Sequence, residues 1–180
     1  ISTNASSGNA GGFTYLWGPD GEITPSISNK LAGTYTLHIE DAKGCPKDTT
    51  FIIDEPSVLT ASITSITHLI CNGDCTPGEA IVTPGGGIAP YTYQWFDAAN
   101  NPIGGYTDST ASNLCAGTYS VYIEDVNGCN ITLTNIIITE PSPLTAVSST
   151  TPAQCNGASD GSVVVTPAGG VLPYSYTWTS

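Results

Sequence analysis

Apolar and polar side chains alternate along several short stretches of the chain. Every second residue is apolar in residues 35–39, 91–95 and 119–123, and Ile131, Leu133 and residues 136–138 form a further stretch of this kind. An alternation of period two is typical of a β-strand with one buried face. Residues 125–128, Asp-Val-Asn-Gly, separate two of these stretches and predict a hairpin turn. No segment has a sustained helical period, so the pattern predicts an all-β protein.

Several short motifs recur along the chain at a spacing of about 84 residues. They are Glu-Asp-x-x-Gly-Cys at 40–45 and 124–129, Glu-Pro-Ser at 55–57 and 140–142, Cys-Asn-Gly at 71–73 and 155–157, and Pro-Tyr-x-Tyr-x-Trp at 90–95 and 173–178. A shorter Gly-Gly-Phe-Thr-Tyr-Leu-Trp at 11–17 marks an earlier copy. We therefore expect the C-terminal part of a first repeat in residues 1–56, a complete middle repeat in 57–141 and the N-terminal part of a third repeat in 142–180.

A repeat of this length suits an immunoglobulin-like (PKD-like) β-sandwich of about seven strands. Its recurring tryptophan is expected on the third strand, packed between the two sheets, which places Trp17, Trp95 and Trp178 in the cores. The tyrosine of Gly-Thr-Tyr, Tyr35 or Tyr119, is expected to open the sixth strand as a corner tyrosine in the core.

The junctions between repeats are short. Each falls at a Glu-Pro pair, and proline removes a backbone donor and stiffens the chain. The sequence has no initiator methionine, and the third copy stops just after its tryptophan. We therefore expect a segment of a longer protein whose partners are neighbouring repeats of the same chain, joined as a semi-rigid rod.

The net charge of the chain limits the kinds of molecule that it is expected to bind. The 180 residues include 15 acidic and 3 basic side chains, a net charge of −12 at pH 7, and the basic residues are all lysines. Nucleic acids and anionic membrane surfaces are bound through clusters of Lys and Arg, so neither is an expected partner. No apolar run reaches the ~18 residues that span a bilayer, so we expect no membrane insertion of this segment.

Six cysteines and no methionine indicate an exported protein with disulfides. Cys75 and Cys115 are absent from the other copies and occur in loops expected at one end of the sandwich, so they are predicted to pair. The other four allow two schemes. A Cys71–Cys129 bond within the middle repeat is favoured because each repeat brings its own two cysteines. The alternative, Cys45–Cys71 with Cys129–Cys155, crosses the junctions.

Little in the sequence indicates catalysis. Residues 157–161 match the Gly-x-Ser-x-Gly of a nucleophile elbow, but no helix follows them and the only histidines, His38 and His68, lie in other repeats. His38 aligns with an outward-facing position and is expected on the surface. We expect no enzyme activity and no cofactor.

Calcium is the one metal that the acidic residues could attract. Asp41, Asp125 and Glu140 recur at equivalent places and are weak candidate ligands, since calcium prefers several carboxylate and carbonyl oxygens. They do not form the dense acidic pattern of a dedicated calcium loop. We therefore favour solubilising surface charge for these residues.

The recurring motifs resemble the SprB-type repeat of bacterial gliding-motility adhesins. That pattern runs from Cys-Asn-Gly through Asp-Gly-Ser, Gly-Gly, Pro-Tyr-x-Tyr-x-Trp, Gly-Thr-Tyr and Asp-x-Asn-Gly-Cys to a closing Glu-Pro. The third repeat matches it closely, whereas the middle repeat adds Cys75 and Cys115 and lacks Asp-Gly-Ser.

The resemblance implies a non-catalytic stalk or spacer in a large secreted filament or adhesin of Bacteroidota, exported by type IX secretion to the cell surface and serving adhesion and gliding motility. Surface polysaccharide and lateral self-association are the partners it implies beyond the chain itself. The alternative function is a carbohydrate-binding module of a secreted polysaccharide-degrading enzyme, for which Tyr106 and Tyr122 are the candidate exposed aromatics.

The resemblance to Bacteroidota proteins also implies a periplasmic O-glycosylation system. It would recognise Asp followed by Ser or Thr and a small or apolar residue. Asp48-Thr49-Thr50 and Asp108-Ser109-Thr110 fit this pattern, which makes Thr49 and Ser109 the expected glycan sites, at positions predicted to be exposed beside turns.

Overall fold

The computed structural model describes residues 12–179, and its regular secondary structure there is entirely β. The predicted all-β fold is confirmed. The chain divides into two compact units, residues 1–56 and 57–180. The described residues contain no helix with the length and apolarity needed to cross a membrane.

The described part of the first repeat forms one antiparallel sheet. It contains β1 (Thr14–Gly18), β2 (Gly33–Glu40) and β3 (Pro46–Ile53) in the order β1-β2-β3. The alternating apolar residues of these strands collect on one face. Trp17, Ile27, Tyr35 and Leu37 are buried there, and the Trp17 ring lies 5.5 Å from that of Phe51.

The middle repeat is a sandwich of two three-stranded antiparallel sheets. One sheet has the order β4-β5-β7, from β4 (Thr60–Thr67), β5 (Glu79–Gly85) and β7 (Thr110–Ser112). The other has the order β6-β8-β9, from β6 (Thr92–Phe96), β8 (Gly117–Glu124) and β9 (Asn130–Ile138). The repeat therefore has six strands, one fewer than the seven expected, because residues 97–109 form turns and an isolated bridge between Phe96 and Pro102.

The core of the middle repeat lies between its two sheets. Its buried side chains are Leu69, Ala80, Val82, Trp95, Ala111, Leu114, Val121, Ile123, Ile136 and Ile138. Trp95 lies on β6, the third strand, and is fully buried. Its indole N–H is satisfied because Nε1 donates to the carbonyl oxygen of Asp108 at 3.1 Å. The buried indole thus joins the two sheets and fixes the loop before β7.

Corner tyrosines occur in both of the first two repeats. The Tyr35 hydroxyl donates to the carbonyl oxygen of Leu31, and the Tyr119 hydroxyl donates to that of Cys115, each at 2.9 Å and four residues upstream. Tyr35 is buried, whereas Tyr119 is half-buried against the core. Tyr119 lies on β8, the fifth strand of its repeat and not the sixth.

The third repeat contributes a two-stranded antiparallel sheet of β10 (Thr145–Thr151) and β11 (Ser162–Ala168). Its apolar residues are largely exposed, and Trp178 is 64% exposed. The expectation that Trp178 lies in a core is wrong for this chain. No second sheet of the third repeat is present among residues 142–179 to cover the indole.

The structure contains the predicted disulfide between Cys75 and Cys115. It joins the loop after β4 to the loop before β8. The bonded cysteines are 40 positions apart in sequence, so the bond closes a long loop of the unfolded chain.

Trp95→Ala should destabilise the middle repeat by about 3–5 kcal/mol, because it removes a large buried aromatic side chain. Hydrogen exchange of the β8 amides measures this change within the one repeat. The matched control is Trp178→Ala, which changes the aligned but exposed indole and should leave exchange in β8 unaltered. Equal effects of the two substitutions would contradict the assignment of Trp95 to the core.

Replacing Cys75 and Cys115 together by serine should destabilise the middle repeat by about 3–4 kcal/mol through the entropy of the unfolded chain. The control is Cys155→Ser, which removes an exposed free thiol and should have no effect on the same β8 amides. Peptide mapping without reduction should recover the Cys75–Cys115 pair. Recovery of Cys75 bonded to another cysteine would disprove the pairing.

Candidate functional site: the ends of the repeat and the junction

A pair of glycines closes the N-terminal end of the middle repeat. Gly86 and Gly87 have φ angles of 66° and 59°, in the left-handed region that favours glycine. A Cβ atom on Gly86 would overlap the carbonyl oxygen of Val58. The Gly87 N–H donates to the carbonyl oxygen of Ser57 at 2.8 Å. The glycines therefore let this turn lie directly on the segment that enters the repeat.

The carboxylate of Asp125 ties this turn to the β8–β9 hairpin. Oδ2 accepts the N–H of Ile88 at 3.0 Å, while Oδ1 accepts the N–H groups of Asn127 and Cys129, both at 2.9 Å. The side chain is buried, with 4% exposure. The N–H of Ile88, reinforced by those of the hairpin, lowers the pKa of Asp125 below its usual value.

The third repeat uses the same geometry at its N-terminal end. Gly169 and Gly170 have φ angles of 75° and 60°. A Cβ atom on Gly169 would overlap the carbonyl oxygen of Pro143. The Gly170 N–H donates to the carbonyl oxygen of Ser142 at 2.9 Å. The recurring Gly-Gly motif thus has a structural reason, which is close approach to the entering chain.

The Cys-Asn-Gly and Glu-Pro motifs meet at the C-terminal end of the middle repeat. The Asn72 side-chain N–H donates to the carbonyl oxygen of Pro141 at 3.1 Å, and the Gly73 N–H donates to Oε2 of Glu140 at 2.6 Å. The neighbouring Thr139 N–H donates to Nδ1 of His68 at 3.2 Å. We call the contacts of residues 72–73 with 140–141 the latch.

The junction between the middle and third repeats is therefore hydrogen-bonded on both sides. Glu140 and Pro141 are held by the latch, and Ser142, the next residue, accepts from the Gly-Gly turn of the third repeat. No free linker residue remains between the last residue held by one repeat and the first held by the next.

His38 takes part in an ion-pair group that sequence reasoning missed. Its Nδ1 lies 2.6 Å from Oδ1 of Asp48 and its Nε2 lies 3.2 Å from Oε1 of Glu40. Asp48 is the cross-strand partner of His38 in the β2–β3 register. The bond to Asp48, with a smaller effect of Glu40, raises the pKa of His38. The sequence places His38 on the surface correctly, but the pairing depends on strand register.

The cysteines other than Cys75 and Cys115 are exposed free thiols: Cys45, Cys71, Cys129 and Cys155. The favoured Cys71–Cys129 bond is wrong for this structure. Cys129 immediately precedes β9, whereas Cys71 lies in the loop whose next residue bonds Pro141, beyond the far end of β9. A strand of nine residues separates these ends by about 30 Å, and a disulfide needs Cα atoms within about 7 Å. The cysteines of the alternative scheme, Cys45–Cys71 and Cys129–Cys155, are likewise free thiols in the structure.

The two calcium candidates of the middle repeat, Asp125 and Glu140, are not brought together. Asp41 accepts the N–H groups of Cys45 and Lys43, which lower its pKa. Asp125 accepts the corresponding N–H groups of its own hairpin. Glu140 belongs to the latch, at the opposite end of the repeat from Asp125. Among residues 12–179, no three His, Cys, Asp or Glu side chains converge as a metal site.

The remaining candidate residues are scattered. Ser159 of the Gly-x-Ser-x-Gly match lies exposed in the loop between β10 and β11, with no helix after it. Thr49 is half-buried within β3, and Ser109 is half-buried just before β7. Both expected glycan sites are thus less exposed than predicted. The backbone is paired at each site: Thr49 lies opposite Leu37 in the β2–β3 register, and the carbonyl oxygen of Ser109 accepts the N–H of Val82.

The two tyrosines proposed for sugar binding do not form a platform. Tyr106 packs against the core, and its hydroxyl donates to the carbonyl oxygen of Ser112. Tyr122 is half-buried on β8, and its hydroxyl donates to the carboxylate of Glu124.

Asp125→Asn should destabilise the middle repeat at pH 7, because an amide N–H would face the N–H of Ile88. The lowered pKa means that the ionised carboxylate stabilises the fold above about pH 4, and that this stabilisation is lost as pH falls through the folded-state pKa. The difference in free energy of unfolding between the variant and the wild type should therefore be smaller at about pH 3 than at pH 7. Hydrogen exchange of the β8 and β9 amides at these two pH values measures this difference. Asp74→Asn, at an exposed position, serves as control, and an equal loss in both variants would contradict the role of Asp125.

Comparison with known proteins gives one family. The family model of the SprB repeat matches residues 63–100 and 147–180. These segments run from β4 to just beyond β6 and from β10 to the end of the chain, and both contain the Cys-Asn-Gly loop, the Gly-Gly turn and the tryptophan. No curated protein shows a significant match to the chain.

SprB repeats occur in cell-surface proteins and form a non-enzymatic repeat family. Of the motifs at the two ends of the middle repeat, the matched segment 63–100 contains the Cys-Asn-Gly loop and the Gly-Gly turn. Residues 63–100 and 147–180 therefore have the sequence pattern of the SprB repeat.

Proposed function

We propose that the chain is a non-catalytic, semi-rigid stalk segment of a large secreted bacterial surface adhesin or filament, acting in adhesion and gliding motility. The junction carries this proposal. One repeat holds Pro141 and the next holds Ser142, so the peptide bond between them has a hydrogen-bonded anchor on either side. A stalk needs such joints, because a flexible linker would let adjacent repeats bend freely.

The path of the chain through the middle repeat also supports a spacer. The chain enters at Ser57, beside the Gly-Gly turn, and leaves at Pro141, beside the latch. These points are at opposite ends of the strands, so each repeat adds its full length to the protein. An extracellular location agrees with the disulfide and with the surface proteins in which SprB repeats are found.

The positions of the tyrosines favour a stalk over a carbohydrate-binding module. Sugar-binding modules present aromatic faces to solvent, whereas Tyr106 is packed and Tyr122 is half-buried beside Glu124. Surface polysaccharide and lateral association of chains remain proposals for the assembled protein.

The stalk proposal predicts that the middle and third repeats tumble together. ¹⁵N relaxation of the full chain should give one correlation time for amides of β4–β9 and of β10–β11. A four-residue Gly-Ser insert between Pro141 and Ser142 should make the β10–β11 amides tumble faster. The control is the same insert between Gly104 and Gly105, where a Cβ atom would meet no neighbour, and it should change nothing in β10–β11. Independent tumbling of β10–β11 in the unmodified chain would refute the stalk.

A further inference from the structure

The exposed cysteines of the middle repeat occupy defined places at its two ends. Cys71 begins the Cys-Asn-Gly loop of the latch, and Cys129 ends the β8–β9 hairpin. Free cysteine is among the most buried residue types, yet both thiols face solvent. Neither has a partner within reach in its own repeat, so their exposure calls for a partner outside it.

The C-terminal end of the middle repeat and the N-terminal end of the third repeat both form hydrogen bonds with the junction between them. On one side, Asn72, next to Cys71, bonds the carbonyl oxygen of Pro141. On the other side, Ser142 bonds the Gly-Gly turn of the third repeat through Gly170.

In the middle repeat, the β8–β9 hairpin is hydrogen-bonded to the residue that follows the Gly-Gly turn. Ile88, directly after Gly87, donates its N–H to Asp125, and Asp125 in turn accepts the N–H of Cys129. Ile88 also accepts the N–H of Val126 in the same hairpin. The hairpin that carries the second cysteine is therefore fixed beside the segment that enters its repeat.

We propose that the Cys-Asn-Gly cysteine of one repeat forms a disulfide with the hairpin cysteine of the repeat that follows, across the Glu-Pro-Ser junction. For Cys71, the partner is the hairpin cysteine of a completed third repeat. In each repeat, the hairpin cysteine then bonds to the preceding repeat and the Cys-Asn-Gly cysteine bonds to the following repeat. A disulfide therefore crosses every junction. This inference does not depend on an adhesive role, since it follows from the contacts at the ends of the repeat.

The chemistry is thiol–disulfide exchange with an oxidant of the disulfide class, small or protein-borne. One cysteine thiolate attacks the oxidant disulfide and expels a thiolate, which leaves a mixed disulfide. The second cysteine thiolate then attacks the cysteine sulfur of that mixed bond and expels the other half of the oxidant. Two protein thiols are oxidised to one disulfide, one oxidant disulfide is reduced to two thiols, and the two protons pass to those thiols. The Cys75–Cys115 bond requires the same oxidising surroundings.

The test completes the third repeat with residues of the same sequence. Residues 96–141 are attached after Trp178, which aligns with Trp95, and the copied Cys115 is changed to serine because the third repeat has no counterpart of Cys75. After oxidation with oxidised glutathione, peptide mapping without reduction should recover Cys71 bonded to the copied Cys129. Cys75–Cys115 reports in the same sample that oxidation was complete.

Two variants separate this bond from chance oxidation. Cys71→Ser should leave the copied Cys129 open to alkylation by iodoacetamide, whereas Cys155→Ser, the matched change one repeat later, should leave the junction bond intact. The proposal is overturned if Cys71 stays alkylatable while Cys75–Cys115 is fully formed, or if Cys71 is recovered only in bonds to its own repeat or to a second molecule.

A second protein keeps the test decisive if the extended chain does not fold. Two copies of residues 57–141 are joined directly, since the core of that repeat and the residues packed against it all lie within this range. Cys71 of the first copy should pair with Cys129 of the second. A folded tandem protein with both thiols free would equally overturn the proposal.

Discussion

The buried carboxylate of Asp125 is the contact on which the N-terminal end of the repeat depends. A hairpin turn and a glycine turn have few apolar atoms with which to hold each other. Asp125 joins them because one carboxylate oxygen closes the hairpin and the other accepts the N–H of Ile88. A negative charge with three backbone donors is well satisfied in spite of its burial. The glycine turn can then lie against the entering chain and hold Ser57.

The latch performs the corresponding task at the other end with different chemistry. There the acceptors come from the closing Glu140-Pro141 pair and the donors from the Cys-Asn-Gly loop. Residues that are far apart in sequence, near 72 and near 140, are thus joined at one point. This explains why both motifs recur, since each is the partner of the other. A repeat that kept one motif and lost the other would leave polar groups of its junction without their bonds.

The strands, the core tryptophan and the corner tyrosines could be predicted from the sequence, because they depend on local alternation and on burial. The Cys75–Cys115 bond could be predicted because both cysteines are additions to one repeat. The contacts at the two ends of the repeat could not be predicted in the same way. The Cys71–Cys129 scheme assumed that two cysteines of one repeat lie close together, and it failed because strand direction puts them at opposite ends. Pairs such as His38 with Asp48 depend on strand register, which alternation alone does not fix.

In the middle and third repeats, burial of the strand residues depends on the second sheet of the repeat. Ala80 and Val82 on β5 are fully buried beneath β6, β8 and β9, whereas Val163, at the place on β11 that corresponds to Ala80, is 51% exposed. The strands carry similar alternating patterns, so the difference comes from the second sheet and not from the sequence of the strand. A two-stranded sheet by itself is only marginally stable in water. Stability of the middle repeat is therefore a property of its whole sandwich.

The strand order also determines how the middle repeat would bear tension. β4 starts beside the point of chain entry and β9 finishes beside the point of exit, and the two strands lie against each other. Both run from the N-terminal to the C-terminal end, so a pull on Ser57 and Pro141 draws β4 and β9 past each other along their length. The bond from the Leu69 N–H to the carbonyl oxygen of Thr139 and the latch lie across this path. A force along the proposed stalk must therefore shear several contacts together and cannot open them one at a time from an edge. The hydrogen bonds that define the junction are thus also placed to resist the load that a stalk transmits.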